Sequence, residues 1–233
     1  MCTIIFAYKI FDDSKIVVAE NRDEFYERNF LDPNMKNLNN SFNEPSWYKA
    51  PIDEKEGGTW IGYNSNGLFV TVSNLRSEYD TDKDFRSRGN LVKDVLSEKD
   101  VETARKLIET SVEKHDYNSF NIVMASNKKA FGITYNQNLV YTEFDKGVYV
   151  ITNSRINESS ERADSVEELL PDRSIGLSSW IEQVKKVLSN HPRGICKHGE
   201  NFGTTSSSII ILDSNNISNT KYLFSEGPPC QSE

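Results

Sequence analysis

Four strand-like runs joined by two-residue polar connections restrict the fold of this chain more than any other feature. The runs are 118–126, 129–135, 138–144 and 147–152, and the connections are Asn127-Lys128, Asn136-Gln137 and Asp145-Lys146. Two residues cannot carry a parallel crossover, which needs a dozen or more. The four runs are therefore expected to form an antiparallel meander.

The rest of the chain repeats this alternation of strand runs and helix pairs. Residues 86–98 and 101–114 read as helices, the second with Val101, Ala104, Leu107, Ile108 and Val112 on one stripe. Further helices are expected over 161–170 and 178–190, the latter with Trp180, Ile181, Val184, Val187 and Leu188 on one face. Strands at 206–212 and 221–224 close the chain. At its start, 3–10 and 15–20 read as strands around the turn Phe11-Asp12-Asp13-Ser14, and Ile16-Val17-Val18-Ala19 is apolar on both faces, as in a strand covered on both sides. Residues 57–63 and 68–74 flank the turn signal Asn66-Gly67. With those two residues as the turn, Thr59 faces Asn74 and the pair Gly57-Gly58 lies at the same sheet end. Paired glycines there mean either a close backbone approach or a bulge. Between these hairpins, 25–57 is rich in Asn, Pro, Glu and Lys with scattered Phe30, Phe42, Trp47 and Tyr48, and reads as a long loop of the lid or ligand-binding kind. Strands interrupted by helix pairs suit two antiparallel sheets packed face to face with helices outside. The expected fold class is α+β, a four-layer αββα sandwich formed as a single domain over residues 1–233.

Several function classes are disfavoured at this stage. A net charge of -8 gives nucleic acid and anionic membrane surfaces no reason to attract the chain. No apolar run approaches the ~18 residues of a membrane span, and no basic segment precedes an apolar stretch as in a signal peptide. Three scattered cysteines do not make a disulfide framework, so a reducing cytoplasm is expected. The stretch His191-Pro192-Arg193-Gly194-Ile195-Cys196-Lys197-His198 lacks a standard zinc spacing and reads as a polar surface loop; no metal or cofactor is expected. The oligomeric state stays open, a homo-oligomer included.

The residue carrying the most chemistry is Cys2. Its small side chain permits removal of Met1, which would leave a thiol and a free α-amine on one residue, a nucleophile beside a base of pKa ~8. The first hairpin brings a partner set to it. If Asp12-Asp13 is the turn, Cys2 falls opposite Asp23, and a turn one residue longer puts it opposite Glu24. Asn21-Arg22-Asp23-Glu24 therefore returns to the thiol, a charged quartet hard to justify as packing.

Five segments, taken in order, resemble the NRDE family, also called the transport and Golgi organisation protein two family. They are Met1-Cys2, Ala19-Glu20-Asn21-Arg22-Asp23-Glu24-Phe25-Tyr26, Gly57-Gly58-Thr59-Trp60-Ile61-Gly62, Ser87-Arg88-Gly89-Asn90-Leu91-Val92 and Gly203-Thr204-Thr205-Ser206-Ser207-Ser208. The chain departs from the family at Ile151-Thr152-Asn153-Ser154-Arg155. A more distant similarity is to the penicillin V acylase and bile salt hydrolase group of N-terminal nucleophile (Ntn) hydrolases. This resemblance implies an N-terminal cysteine hydrolase acting on a non-peptide amide or related acyl bond. It implies Cys2 as nucleophile, Asp23 on the α-amine, Arg22 on the thiolate or a polar substrate group, Asn74 in an oxyanion hole and Asn153 as a second active-site asparagine. Asn21, Glu24, Gly58, Thr59, Trp60 and Arg155 are expected on the substrate side. Arg155 and Arg162 both qualify as the counterpart of that group's last arginine. The alternative is a carrier that uses the same pocket for haem, acyl-CoA or lipid.

Overall fold

Period-two alternation along the first two strands sets the layers. In strand β1 (Cys2–Tyr8) and strand β2 (Lys15–Phe25), Ile4, Phe6, Tyr8, Ile16 and Val18 join one large core, whereas Ile5, Ala7, Val17 and Ala19 join another. A strand whose two faces enter different cores is covered on both sides, as the unbroken apolar run implies. The computed structural model describes residues 2–11, 15–39, 44–79 and 85–231. The expected first turn at 12–14, Phe42 and Met1 lie outside those residues.

The remaining elements in order are β3 (Phe30–Asn37), β4 (Trp47–Asp53), β5 (Ile61–Asn64), β6 (Phe69–Asn74), α1 (Arg88–Val95), α2 (Val101–Lys114), β7 (Phe120–Ala125), β8 (Ala130–Asn136), β9 (Asn138–Glu143), β10 (Gly147–Ile151), α3 (Glu161–Glu167), α4 (Leu177–Leu188), β11 (Phe202–Asp213) and β12 (Lys221–Glu226). Two antiparallel sheets result, one ordered β10-β1-β2-β11-β12 and the other β3-β4-β5-β6-β7-β8-β9. Between them Phe6 of the first sheet stacks on Phe69 of the second, ring centroids 6.4 Å apart. Helices α3 and α4 lie on the five-stranded sheet, and α1 with α2 packs beside β6 of the other. The helix, sheet, sheet, helix order is the four-layer sandwich. On α4, Ile181, Val184, Val187 and Leu188 are buried together with Trp180, and each aliphatic contributes roughly 1.5–3 kcal/mol.

Three expectations are corrected. The meander is antiparallel as far as β9, but β10 leaves for the other sheet and pairs with β1, Ile5 facing Val150. Phe144 directs that departure: it is buried at the corner, 5.4 Å from the Phe6 ring and 4.6 Å from Tyr149. The presumed loop over 25–57 contains β3 and β4. Strand β3 is an edge strand interrupted by a register shift between Leu31 and Asn34, where Pro33 stands without a donor. Finally, the β5–β6 hairpin pairs Ile61 with Thr71 and closes Leu68 onto Asn64, so its loop is Ser65-Asn66-Gly67 with Gly67 at φ 77°. That three-residue loop replaces the two-residue turn and shifts the partner of Asn74 away from Thr59 by one position.

Candidate active site

Register decides which side chains meet Cys2. The observed pairing sets Cys2 opposite Arg22 and Ile4 opposite Glu20, one residue from the expected alignment with Asp23. Because side chains alternate, Cys2, Glu20 and Arg22 share the face between the sheets, while Asn21 and Asp23 face the α3/α4 layer. The observed register keeps Ile16 and Val18 in the inter-sheet core and places small Ala19 under the helices.

Arg22 is held by five side chains. Its Nη1 donates to Thr205 Oγ1 at 3.1 Å, and its guanidinium lies 4.3 Å from the Trp60 ring centroid and 5.5 Å from that of Phe30. Glu24 and Asp53 stand 4.0 and 3.8 Å from Nη2. Thr205 is available because β11 bulges between Thr204 and Ser206, leaving one residue unpaired against β2. Burial lowers the pKa of Arg22, and the surrounding carboxylates oppose that shift. Burial also works against the Asp53 carboxylate, yet the two-pronged contact from Arg28, 2.9 Å at each oxygen, holds it below the usual range.

Cys2 is 7% exposed, and burial pushes its thiol up to about 12, with Glu20 and Asp23 adding to the rise and Arg22 opposing it. Glu20 is fully enclosed beside it, and burial pushes its carboxyl up to about 8. Glu20 Oε2 lies 2.5 Å from Thr71 Oγ1, which in turn lies 3.1 Å from the Trp60 carbonyl oxygen. A hydroxyl has one proton to give. With Glu20 protonated, its O–H donates to Thr71 and Thr71 donates to Trp60, so each of the two hydroxyls has an acceptor. The other oxygen, Oε1, has no hydrogen-bond partner among the described residues, and the Cys2 thiol stands beside the Glu20 carboxyl.

Cys2 and Arg22 open onto a cavity of about 200 Å³ lined also by Asp23, Glu24, Thr59, Trp60 and Asn74 of the expected set. Asp53, Arg28, Arg86 and Arg88 line it as well. Asp23 contributes from its edge: its carboxylate accepts from Arg162 Nη2 and from Thr204 Oγ1, each at 2.7 Å. Arg162 is therefore the arginine joined to Asp23 of the quartet, whereas Arg155 pairs with Glu158 at the surface.

Four expected site residues do not line the Cys2 cavity. Asn21 faces the helix layer, where its amide donates to the carbonyls of Leu188 and Ile195 at 2.8 and 3.0 Å. Asn153 donates to the Asn74 carbonyl at 2.6 Å and, with Arg155, lines a separate cavity. It positions the backbone of Asn74 and does not meet the thiol. Gly58 is a packing residue: a Cβ there would stand 2.4 Å from the Gly89 carbonyl carbon, which resolves the glycine pair as a close approach to the start of α1. Sequence reasoning passed over Glu20, although a carboxylate inside an apolar strand is a legible signal. Asp53 and Arg28 were hidden inside the presumed loop. Away from this cavity, the 191–198 loop lies at the surface as expected except for Ile195 and Cys196, which are buried, and Cys196 and His198 meet Cys230 from the tail.

Comparison with known proteins agrees with this architecture. The family model described as Transport and Golgi organisation 2 matches residues 1–191. The human Transport and Golgi organization protein 2 homolog is 28% identical over 256 residues, covering 91% of this chain and 89% of the relative, and the bovine homolog is 27% identical over 253 residues with the same coverage. Among solved structures, a Caenorhabditis elegans N-acylethanolamine-hydrolyzing acid amidase ortholog superposes with a TM-score of 0.60 at 16% identity, covering 95% of this chain and all of that one. Penicillin V acylase from Agrobacterium tumefaciens gives 0.59 at 15% identity over 97% and 83% of the two chains. A variant of conjugated bile acid hydrolase from Clostridium perfringens gives 0.56 at 12% identity over 97% of each. These likenesses show the sandwich fold of the Ntn hydrolases.

Proposed function

This chain belongs to the Transport and Golgi organisation 2 family, and we propose that it is an N-terminal cysteine hydrolase of a small, polar N-acyl compound. The observation that carries the reading is the convergence of the Cys2 thiol, Arg22, Asp23 and Asn74 on one cavity at the open end of the β1–β2 ribbon. A buried thiol with a pKa near 12 is a poor nucleophile at neutral pH, so the reaction needs a base in contact with it. Removal of Met1 would supply that base as the α-amine of Cys2 itself.

In the proposed reaction the sulfur attacks the acyl carbon while its proton passes to the α-amine. Asn74 donates to the developing oxyanion, and Asp23, held by Arg162 and Thr204, orients the amine. The C–N bond then breaks, the leaving amine takes the proton, and a thioester remains on Cys2. Water, deprotonated by the same amine, releases the acid and restores the thiol. Glu20, protonated at neutral pH, places no negative charge against the thiolate and acts as a positioning residue.

The lining favours a substrate with a polar or charged group near the scissile bond, because arginines and carboxylates outnumber apolar side chains around the cavity. The carrier alternative would use the same cavity, where charged side chains prevail over the apolar ones that a haem, acyl chain or lipid would need. Three free thiols among the described residues suit a reducing, cytoplasmic setting. The test is a hydrolysis screen over small N-acyl amides with wild-type protein and Cys2→Ala. Turnover is expected in the first and none in the second; equal turnover in both overturns the reading.

A further inference from the structure

We propose that Cys196, His198 and Cys230 form a zinc site that pins the C-terminal tail to the start of β11. The three ligand atoms come from two stretches far apart in the chain. Cys196 Sγ lies 3.2 Å from Cys230 Sγ and 3.6 Å from His198 Nε2, and His198 Nε2 lies 2.9 Å from Cys230 Sγ. Tetrahedral zinc with bonds of ~2.3 Å to sulfur and ~2.0–2.1 Å to nitrogen sets ligand atoms roughly 3.5–3.8 Å apart. The triangle therefore needs to open by about half an ångström on two of its edges to hold the ion just off its plane, with the fourth position on the far side.

The surrounding backbone holds each corner. The Asn190 carbonyl accepts from both Ile195 and Cys196 N–H at 3.1 Å, closing the loop that buries Cys196. His198 is fixed by its bridge to Gly203 and by the neighbouring pair of bonds between Lys197 and Thr204. Cys230 is delivered by a turn in which Gln231 N–H donates to the Pro228 carbonyl and Ser189 Oγ donates to that of Pro229. His191 stacks edge-on against His198 at 4.6 Å, with Nδ1 3.2 Å from the Cys196 carbonyl oxygen, and so walls the imidazole in place.

Two sulfurs and one imidazole nitrogen select a borderline-soft ion over magnesium or calcium, which take oxygen donors. Cys230 is exposed, so the fourth position opens toward solvent and is filled by water or an outside ligand. A disulfide between the two cysteines has no use for the imidazole, which contacts both sulfurs. The pin would also reach the catalytic cavity. Thr204, bonded to Lys197 beside the site, donates to Asp23, and Arg162 ties Asp23 to the Ile195 carbonyl.

The test is metal analysis of the full chain, purified under reducing conditions, exposed to zinc and desalted. One zinc per chain is expected in the wild type. Cys230→Ser, an exposed tail position that leaves the core intact, and His198→Ala should each weaken binding by ~100-fold. Cobalt in place of zinc should give intense thiolate-to-metal charge-transfer absorption that Cys230→Ser abolishes. Equal zinc in wild type and Cys230→Ser, or a Cys196–Cys230 disulfide in zinc-supplied reduced protein with no metal bound, overturns the proposal.

Discussion

Replacing Glu20 with Gln removes the one described acidic group whose shifted pKa falls between pH 5 and 8. Burial raises its carboxyl from an ordinary 4.5 to about 8. In that window the folded protein holds a proton that the unfolded chain has released. Raising the pH therefore favours unfolding, and the loss is complete once pH exceeds the folded value. A difference of roughly 3.5 pK units corresponds to about 5 kcal/mol, with a slope of up to ~1.4 kcal/mol per pH unit. That is a third or more of the ~5–15 kcal/mol that holds a typical domain together. Asp53, Asp100 and Asp213 lie below the usual carboxylate range, so their contribution is lost in acid, outside this window. Urea unfolding at fixed temperature from pH 5 to 9 measures the effect. Wild-type stability should fall steadily to about pH 8, Glu20→Gln should be nearly flat, and the variant should be the more stable protein at pH 8.5. A flat wild-type profile, or the same slope in both proteins, refutes the assignment of a protonated carboxyl beside Cys2.

Other perturbations test neighbouring parts of the account. Arg162→Met leaves Asp23 buried without its arginine and should cost about 3–5 kcal/mol in urea unfolding, whereas Arg162→Lys should recover part of the loss. Gly58→Ala forces a methyl against the backbone of Gly89 and should cost roughly 1–3 kcal/mol. Gly57→Ala meets no atom within 4 Å and suffers only its left-handed φ of 69°, so thermal unfolding should rank it above Gly58→Ala. Asn74→Ala, if this side chain donates to the oxyanion, should lower kcat by ~10²–10³ with little change in KM in steady-state assays.

Much of the sandwich is legible before any coordinates, because connection length and side-chain period are local properties. Short connections make β7, β8 and β9 antiparallel neighbours, and the expected helix over 101–114 coincides with α2, burying Val101, Ala104 and Ile108 with Leu107 and Val112 packed against the same core. What escapes is what depends on partners. β3 shows no alternation, since it lies at an exposed edge and contains Pro33, so its pairing with β4 leaves no periodic trace. Both hairpins slip by one residue from their expected registers, and a one-residue change flips every side chain to the other face. The charged quartet was legible as a group, but its division was not. Arg22 and Glu24 turn to the cavity, Asn21 turns to the helices, and Glu20, one residue earlier, takes the place beside the thiol. Arg162 meets Asp23 across 139 residues of chain, a contact that no local pattern encodes.

The central claim is that Cys2, freed of Met1, attacks the acyl group. Intact-mass analysis of protein quenched in acid during turnover of an N-acyl amide, followed by peptide mapping, tests it most directly. The account predicts a polypeptide lighter by one methionine and carrying the acyl group on Cys2. Turnover by protein that retains Met1, or an acyl group mapped to any other residue, contradicts it.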